Sequence, residues 1–537
     1  MKSIYKYLKN ELLFQINIWN FLSILASFLI FLPIFLIITN FNIEADNWLH
    51  IKENLLIGYV SSTLYLVIGV GIASTIIGVG CAWFITCYDF YGRKYIEWIL
   101  ILPMTIPTYI AAYSYYDILE AFNPFFIWSR NNYGLNETML IETMFIYLIV
   151  IILFSFVLYP YIYLSTKASL MIQGSRIIEA ANTLGIPTNK LLRKVIIPII
   201  RPSIIAGVSL VIMETLNDYA AVEYFGISTL TIGIFRSWFG MHDVDSALKL
   251  SSFLITFVFI VLVLEKIYRK GAKYDNKGGK NSLRRIKIEK KKQCLIIIFC
   301  LIPFLFGFLI PVGRLFTWML RSNVSLNGFN LVMITFNTVT ISLVSSIIIV
   351  VLAFFINFSK NYFNNDACKK ISQLAILGYS MPGAIIAIGI LKLSSSINGL
   401  IPLMLIGSIF GLLLSYIVRF FAVAWQPIDS SMEKLGENIN QASRTLSVKP
   451  LKSLVNINFP ILKKPLLVAS LIVFIDVSKE LPLTLILRPF NFDTLATLTY
   501  DLITQSQFFQ SSIPSLLIIL ISVPAILIIN NQVDKEN

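Results

Sequence analysis

Long apolar runs follow one another along nearly the whole chain, and polar residues gather in short segments between them. At about 1.5 Å per residue, a helix of roughly twenty apolar residues crosses a hydrocarbon core about 30 Å thick, so each run reads as a membrane span. The first half has runs near 21–39, 60–86, 97–119, 144–165, 203–222 and 249–265. The second has runs near 294–312, 338–358, 371–393, 401–424, 466–487 and 512–530. The pattern predicts an all-α integral membrane protein with about twelve transmembrane helices. They form two pseudo-symmetric six-span halves, 1–265 and 293–537, joined by a polar linker at 266–292.

Two polar segments match each other. EAANTLGIPTNKLLRKVIIP runs from Glu179 to Pro198 and QASRTLSVKPLKSLVNINFP from Gln441 to Pro460, offset by 262 positions at both ends. The first has a helix-forming run from Arg176 to Leu184, then Gly185 and Pro187, then a run from Asn189 to Ile197 closed by Pro198. Glycine frees the backbone for a turn and proline fits the first turn of the next helix, so two short helices at an angle are predicted. Spans can be joined by a few residues, yet these connections each hold about forty. That length argues against a plain re-entry loop, and amphipathic surface helices are the next alternative. The repetition at fixed offset instead favours a surface shaped to fit a partner.

Composition agrees with the span pattern: 57% of residues are hydrophobic, only 13% are charged, and mean hydropathy is +0.77. The net charge of +14 does not point to nucleic acid, because the Lys and Arg residues lie in short segments between spans. There they set topology and meet anionic membrane lipids. With the N-terminus inside, Gly92-Arg93-Lys94, both repeat segments, the linker and Lys360 to Lys370 all fall on the cytoplasmic side. Segments 121–139, 223–248 and 488–511 fall outside, and both termini are cytoplasmic. The linker carries about a dozen Lys and Arg around Gly278 and Gly279, which predicts a flexible, solvated joint between two fused subunits. Cys81, Cys87, Cys294, Cys300 and Cys368 occupy apolar runs or inside loops, so disulfides are not expected. His50 and His242 have no ligand-like spacing. Lys2, Lys6 and Lys9 precede the first run without a small-residue cleavage site, which reads as an uncleaved first span.

Glu179-Ala180-Ala181, Gly185 and Val195-x-Ile197-Pro198 resemble the EAA loop of ATP-binding-cassette importer permeases. The resemblance implies a type I importer permease fold, with each loop docking in a cleft of a cytoplasmic ATPase, two copies in all. The second loop departs from the pattern: Gln441 stands for Glu, Ala442 is kept, Ser443 replaces the second Ala, and Ser447 replaces Gly before Pro460. No Gly-x4-Gly-Lys-Ser/Thr loop occurs; Gly278-Gly279-Lys280-Asn281 lacks the spacing and the hydroxyl. ATP chemistry therefore falls to the partner, and this chain is expected to bind no cofactor and hold no stable metal.

Met213 to Gly226, Thr231 to Phe239, Phe474 to Pro482, Leu487 to Ala496, Tyr379 to Gly383 and Tyr416 to Phe420 are similar to the fused two-half permeases of ferric-iron importers. The resemblance covers nearly the whole chain from about residue 58. It implies a bacterial inner-membrane permease fed by a periplasmic or lipid-anchored iron-binding protein. Related permeases import thiamine, phosphonates or polyamines.

Glu214 and Asp218 lie four apart, Asp476 and Glu480 do likewise at an offset of 262, and Glu223 follows in the first half. Carboxylates at the end of a span are costly to bury and tend to face a cavity or partner. They are candidates for a cation pathway. Alternatively each pair is structural, with Lys479 neutralising Glu480. Pro103, Pro107 and Pro382 fall inside spans and predict bends. A twelve-span secondary carrier is the competing architecture, and Asp89-Phe90-Tyr91-Gly92-Arg93-Lys94 tempts that reading. The motif lacks the Arg after Asp, and such carriers lack the paired long loops.

Overall fold

The computed structural model describes residues 17–39, 45–115, 121–183, 192–269, 285–322, 330–397, 406–435 and 437–534, without the side chains of 172–183, 192–193, 269, 397, 434–435, 437–438 and 530–534. The described chain is helical apart from turns and one two-residue parallel pairing, Tyr88 with Ile286 and Asp89 with Lys287. Among these residues nine helices are long and apolar enough to cross a membrane, and up to eleven crossings result if each of two bent helix pairs counts as one. The helix Phe459–Ser478 takes the remaining place in the repeat and carries three charged residues, Lys463, Lys464 and Asp476.

The spans expected at 97–119 and 371–393 are not single bent helices. Arg93–Thr105 meets Thr108–Ser114 at 93°, and Asp366–Ser380 meets Gly383–Ser396 at 119°. Ile106, before Pro107, has ψ 121° and Met381, before Pro382, has ψ 132°. A proline's ring clashes with a helical residue ahead of it and drives that residue to extended backbone, so the chain breaks there. The expected external loop 121–139 contains a helix, Asn123–Tyr133. The forty-residue connections are also largely helical, since the helix Leu135–Thr183 continues for 49 residues through the polar sequence.

Two compact units appear, and they do not follow the sequence halves: one comprises 1–44, 325–501 and 520–537, the other 45–324 and 502–519. In the first unit the helix Ile18–Thr39 buries Asn20, Ser23 and Ser27 along one face. Ser359 Oγ donates to Asn20 Oδ1 at 2.9 Å, Trp19 stacks on Phe355, and the backbone at Gly389 comes so near Pro33 that a Cβ there would lie 2.7 Å from its carbonyl oxygen. The first described helix thus joins the core of the second repeat.

In the other unit, the helical segment Lys290–Arg321 packs on elements of the first repeat. Phe299 meets Phe84 edge-on at 5.3 Å, Phe306 stacks on Phe156, and Tyr115 Oη donates to the Phe306 carbonyl. Pro160 lacks the N–H that would bond the Phe156 carbonyl four residues back, and Gly307 packs against that carbonyl without room for a Cβ. Ahead of the helix Val244–Arg269, Asp243 accepts from Asn47 and Ser246. Burial raises its carboxyl, but these donors outweigh that and hold it below the usual range.

Candidate functional site

The second repeat segment forms the predicted pair of helices. Glu437–Thr445 ends in a turn where Val448 N–H bonds Ser443 O at 3.0 Å and Ser447 N–H bonds Arg444 O at 2.9 Å. This double bond pattern requires a left-handed residue after the helix, a place glycine favours, and Ser447 takes it with φ 55°. Lys449-Pro450 then opens the next helix, Pro450–Ser453. Asn458, buried, donates to Ser453 O at 3.1 Å and to Asn440 Oδ1 at 3.4 Å, which ties the two helices together. Gln441, Ala442 and Ser447 are exposed, whereas Ser443 is buried.

A serine at φ 55° costs about 1 kcal/mol relative to a helical or extended conformation. Ser447→Gly should therefore slow amide exchange at Leu446 to Val448 by about fivefold, measured on the full-length protein. Faster exchange would show that the turn owes its geometry to something other than this residue.

In the first segment, Glu179, Ala180 and Ala181 lie in the last turns of the helix Leu135–Thr183, with their side chains outside the described residues. Gly185 falls outside them altogether. The chain resumes with a π turn, Leu192–Ile196, and the helix Ile197–Asn217. Its counterpart is the π turn Leu454–Asn458 and the helix Phe459–Ser478, at the same 262-residue offset. Pro198 and Pro460 do not close helices as expected. Each is the second residue of a continuing helix, exposed, directly after the widened turn. The missing proline N–H falls where the regular four-residue bonding is already interrupted.

The helices Ile197–Asn217 and Phe459–Ser478 both break just after their acidic residues. Asp218 is buried; Ala221 N–H donates to its Oδ1 at 2.9 Å and Thr108 Oγ1 to its Oδ2. Glu480, also buried, accepts from Leu483 N–H at 3.2 Å. Each carboxylate thus caps the short helix that follows, Ala220–Tyr224 or Pro482–Leu487. Each also reaches the second limb of its own unit's broken pair: Asp218 meets Thr108, and Glu480 lies where a Cβ on Gly383 would come within 2.7 Å of Oε1. Glu214 is half-buried, and Glu223 is exposed with Tyr219 Oη donating to it at 2.6 Å.

The cations differ from expectation. Lys479 pairs with Asp476 at 3.0 Å and not with Glu480, whose partner is Arg419 Nε at 3.3 Å. The positions equivalent to Lys479 and Arg419 in the first repeat are Asn217 and Val157. Among the described residues Asp218 has no ion-pair partner. Arg419 lies within the segment Tyr416 to Phe420. A cation inside an otherwise apolar run is itself a signal for a buried carboxylate partner.

Residues 74–269 match the family of binding-protein-dependent transport system inner membrane components. The chain is similar to the Fe(3+)-transport system permease protein FbpB 2 of Haemophilus influenzae, with 22% identity over 470 residues, 86% of this chain and 87% of that one. Residues 74–269 of this chain thus carry the domain of binding-protein-dependent transport systems. Sulfate transport system permease protein CysT of Salmonella typhimurium and of Escherichia coli are each 24% identical to the permease over 180 residues, 34% of its length and 62% of theirs. The permease has the several apolar helices of a multi-pass membrane protein, and the family matched is one of inner-membrane transport components. Its family works with ATPase and substrate-binding partners.

Proposed function

We propose that the permease forms the membrane pathway of an ATP-binding-cassette importer for ferric iron. The observation that carries the cargo is the charge balance at the breaks. The second repeat sets Arg419 against Glu480, while the first keeps the carboxylate as Asp218 and has Val157 in place of the cation. Fixed carboxylates suit a hard cation that prefers oxygen ligands. They suit sulfate, the ion named for the shorter relatives, poorly. Similarity to an Fe(3+) permease over 86% of the chain supports the same choice.

In this reading two copies of an ATPase dock on the cytoplasmic side at Glu179–Pro198 and Gln441–Pro460. An external iron-binding protein delivers to 223–248 and 488–511, both termini are cytoplasmic, and ATP is consumed by the partner alone. One fused chain supplies both halves. In vesicles holding permease, ATPase and binding protein, Asp218→Asn should lower uptake of radioactive ferric iron by about tenfold at unchanged permease level. Unchanged uptake would remove Asp218 from the pathway. Sulfate uptake by the unaltered complex would replace the cargo.

A further inference from the structure

The helix Leu135–Thr183, which runs into the Glu179 segment, grips the first limb of the broken pair at three successive points on one face. Tyr159 Oη donates to Leu100 O at 2.7 Å, and Tyr163 Oη donates to Glu97 O at 3.3 Å. Lys167 Nζ pairs with Glu97 Oε1 at 2.6 Å. These residues are spaced four apart, so the contacts extend over about 12 Å of helix. All three are buried, Lys167 to 8% exposure. A buried ammonium is costly unless paired, so this rung is built in and is not a chance surface contact. Glu97 is held in turn by Arg93 at 2.9 Å, and Arg93 also donates to Ile85 O at 3.3 Å. At the far side of the break, Thr108 donates to Asp218.

The same register in the second repeat holds Phe421, Trp425 and Asp429. Phenylalanine offers no hydroxyl. Asp429 turns to Lys360 at 2.7 Å, on the preceding helix Leu331–Phe363, with Lys360 over the Trp425 ring at 5.4 Å. The ladder onto the broken pair therefore belongs to the first repeat.

We propose that Tyr159, Tyr163 and Lys167 are positioning residues that make this helix and the limb Arg93–Thr105 move as one body, so that displacement of the Glu179 segment is delivered to the break at Pro107. The proposal rests on reading that segment as the ATPase docking site. Side chains and not propensity carry the coupling: the break is fixed by Pro107, but the limb's attachment to the long helix is a set of removable bonds.

Two measurements test it. In the full-length permease alone in lipid nanodiscs, Lys167→Met and Tyr163→Phe should each speed amide exchange across 93–105 by about fivefold, with 140–158 unchanged. Lys167→Arg should restore the unaltered rate. Equal exchange across 93–105 in all variants overturns the ladder, whether or not an ATPase binds. In vesicles with ATPase and binding protein, Lys167→Met should bind the ATPase normally but hydrolyse about fivefold more ATP per ion imported, and Lys167→Arg should not. A matched fall in hydrolysis and import overturns the coupling role and leaves only support of the fold. An ATPase that does not bind the unaltered permease counts against the importer reading, and exchange across 93–105 then decides the ladder.

Discussion

Arg419→Met is expected to destabilise the permease by about 3–5 kcal/mol, because it strands the buried Glu480 carboxylate. The side chains of Arg419 and Glu480 are 4% and 5% exposed, so neither can recruit water when its partner is lost. Glu480→Gln should cost a similar amount by stranding the guanidinium. Removing both charges in Arg419→Met with Glu480→Gln should recover most of the loss, since the introduced amide still offers an oxygen to Leu483 N–H and neither charge of the pair is left stranded. Gly383 belongs to the same design. A Cβ there would lie 2.7 Å from Glu480 Oε1 and 3.1 Å from an Arg419 guanidinium nitrogen, so the pair occupies the space a side chain would need. Thermal unfolding of the purified protein in detergent measures all three variants. Singles as stable as the starting protein, or a double variant as unstable as the sum of the singles, would show that the pair is not coupled.

The pair also shows what sequence patterning can and cannot reach. Twelve apolar runs and a 262-residue offset were visible because span length and repetition are local or one-dimensional properties. The breaks at Pro107 and Pro382 were half visible: proline announced a disturbance, but the turn of 93° or 119° follows from the extended residue before it. The partners of Lys479 and Glu480 were misread because sequence distance favours the neighbouring cation. Glu480 is instead reached by Arg419, 61 positions earlier on another helix. The docking of the first helix on the second repeat left no periodic trace either. Asn20, Ser23 and Ser27 are polar enough to suggest a buried face, but nothing in their spacing names Ser359 as the partner.

The divergence of the two repeat segments also takes a different meaning from their backbone. Ser447 stands in place of glycine, yet it adopts the left-handed conformation and the turn keeps both closing bonds. The backbone of the second copy therefore keeps its turn, and Gln441 in place of Glu179 is a change of charge.

Charge reversal at the head of each segment should consequently separate the two copies more sharply than any change in their turns. Glu179→Lys is expected to weaken retention of the ATPase by at least about tenfold, the effect of replacing an interfacial attraction with a repulsion. Gln441→Lys, on an exposed neutral residue, should weaken it by about threefold or less. Glu179→Gln makes the first copy resemble the second and should fall between them. Raising salt should narrow the gap between Glu179→Lys and the unaltered protein, since charge repulsion at a solvated docking surface is screened over about 8–10 Å. Co-purification of the ATPase with each variant at low and high salt, together with transport in vesicles, reads these differences. Equal losses from Glu179→Lys and Gln441→Lys would mean that the ATPase pair grips both segments alike. The acidic residue would then reflect the fold of the first segment and not a stronger docking site.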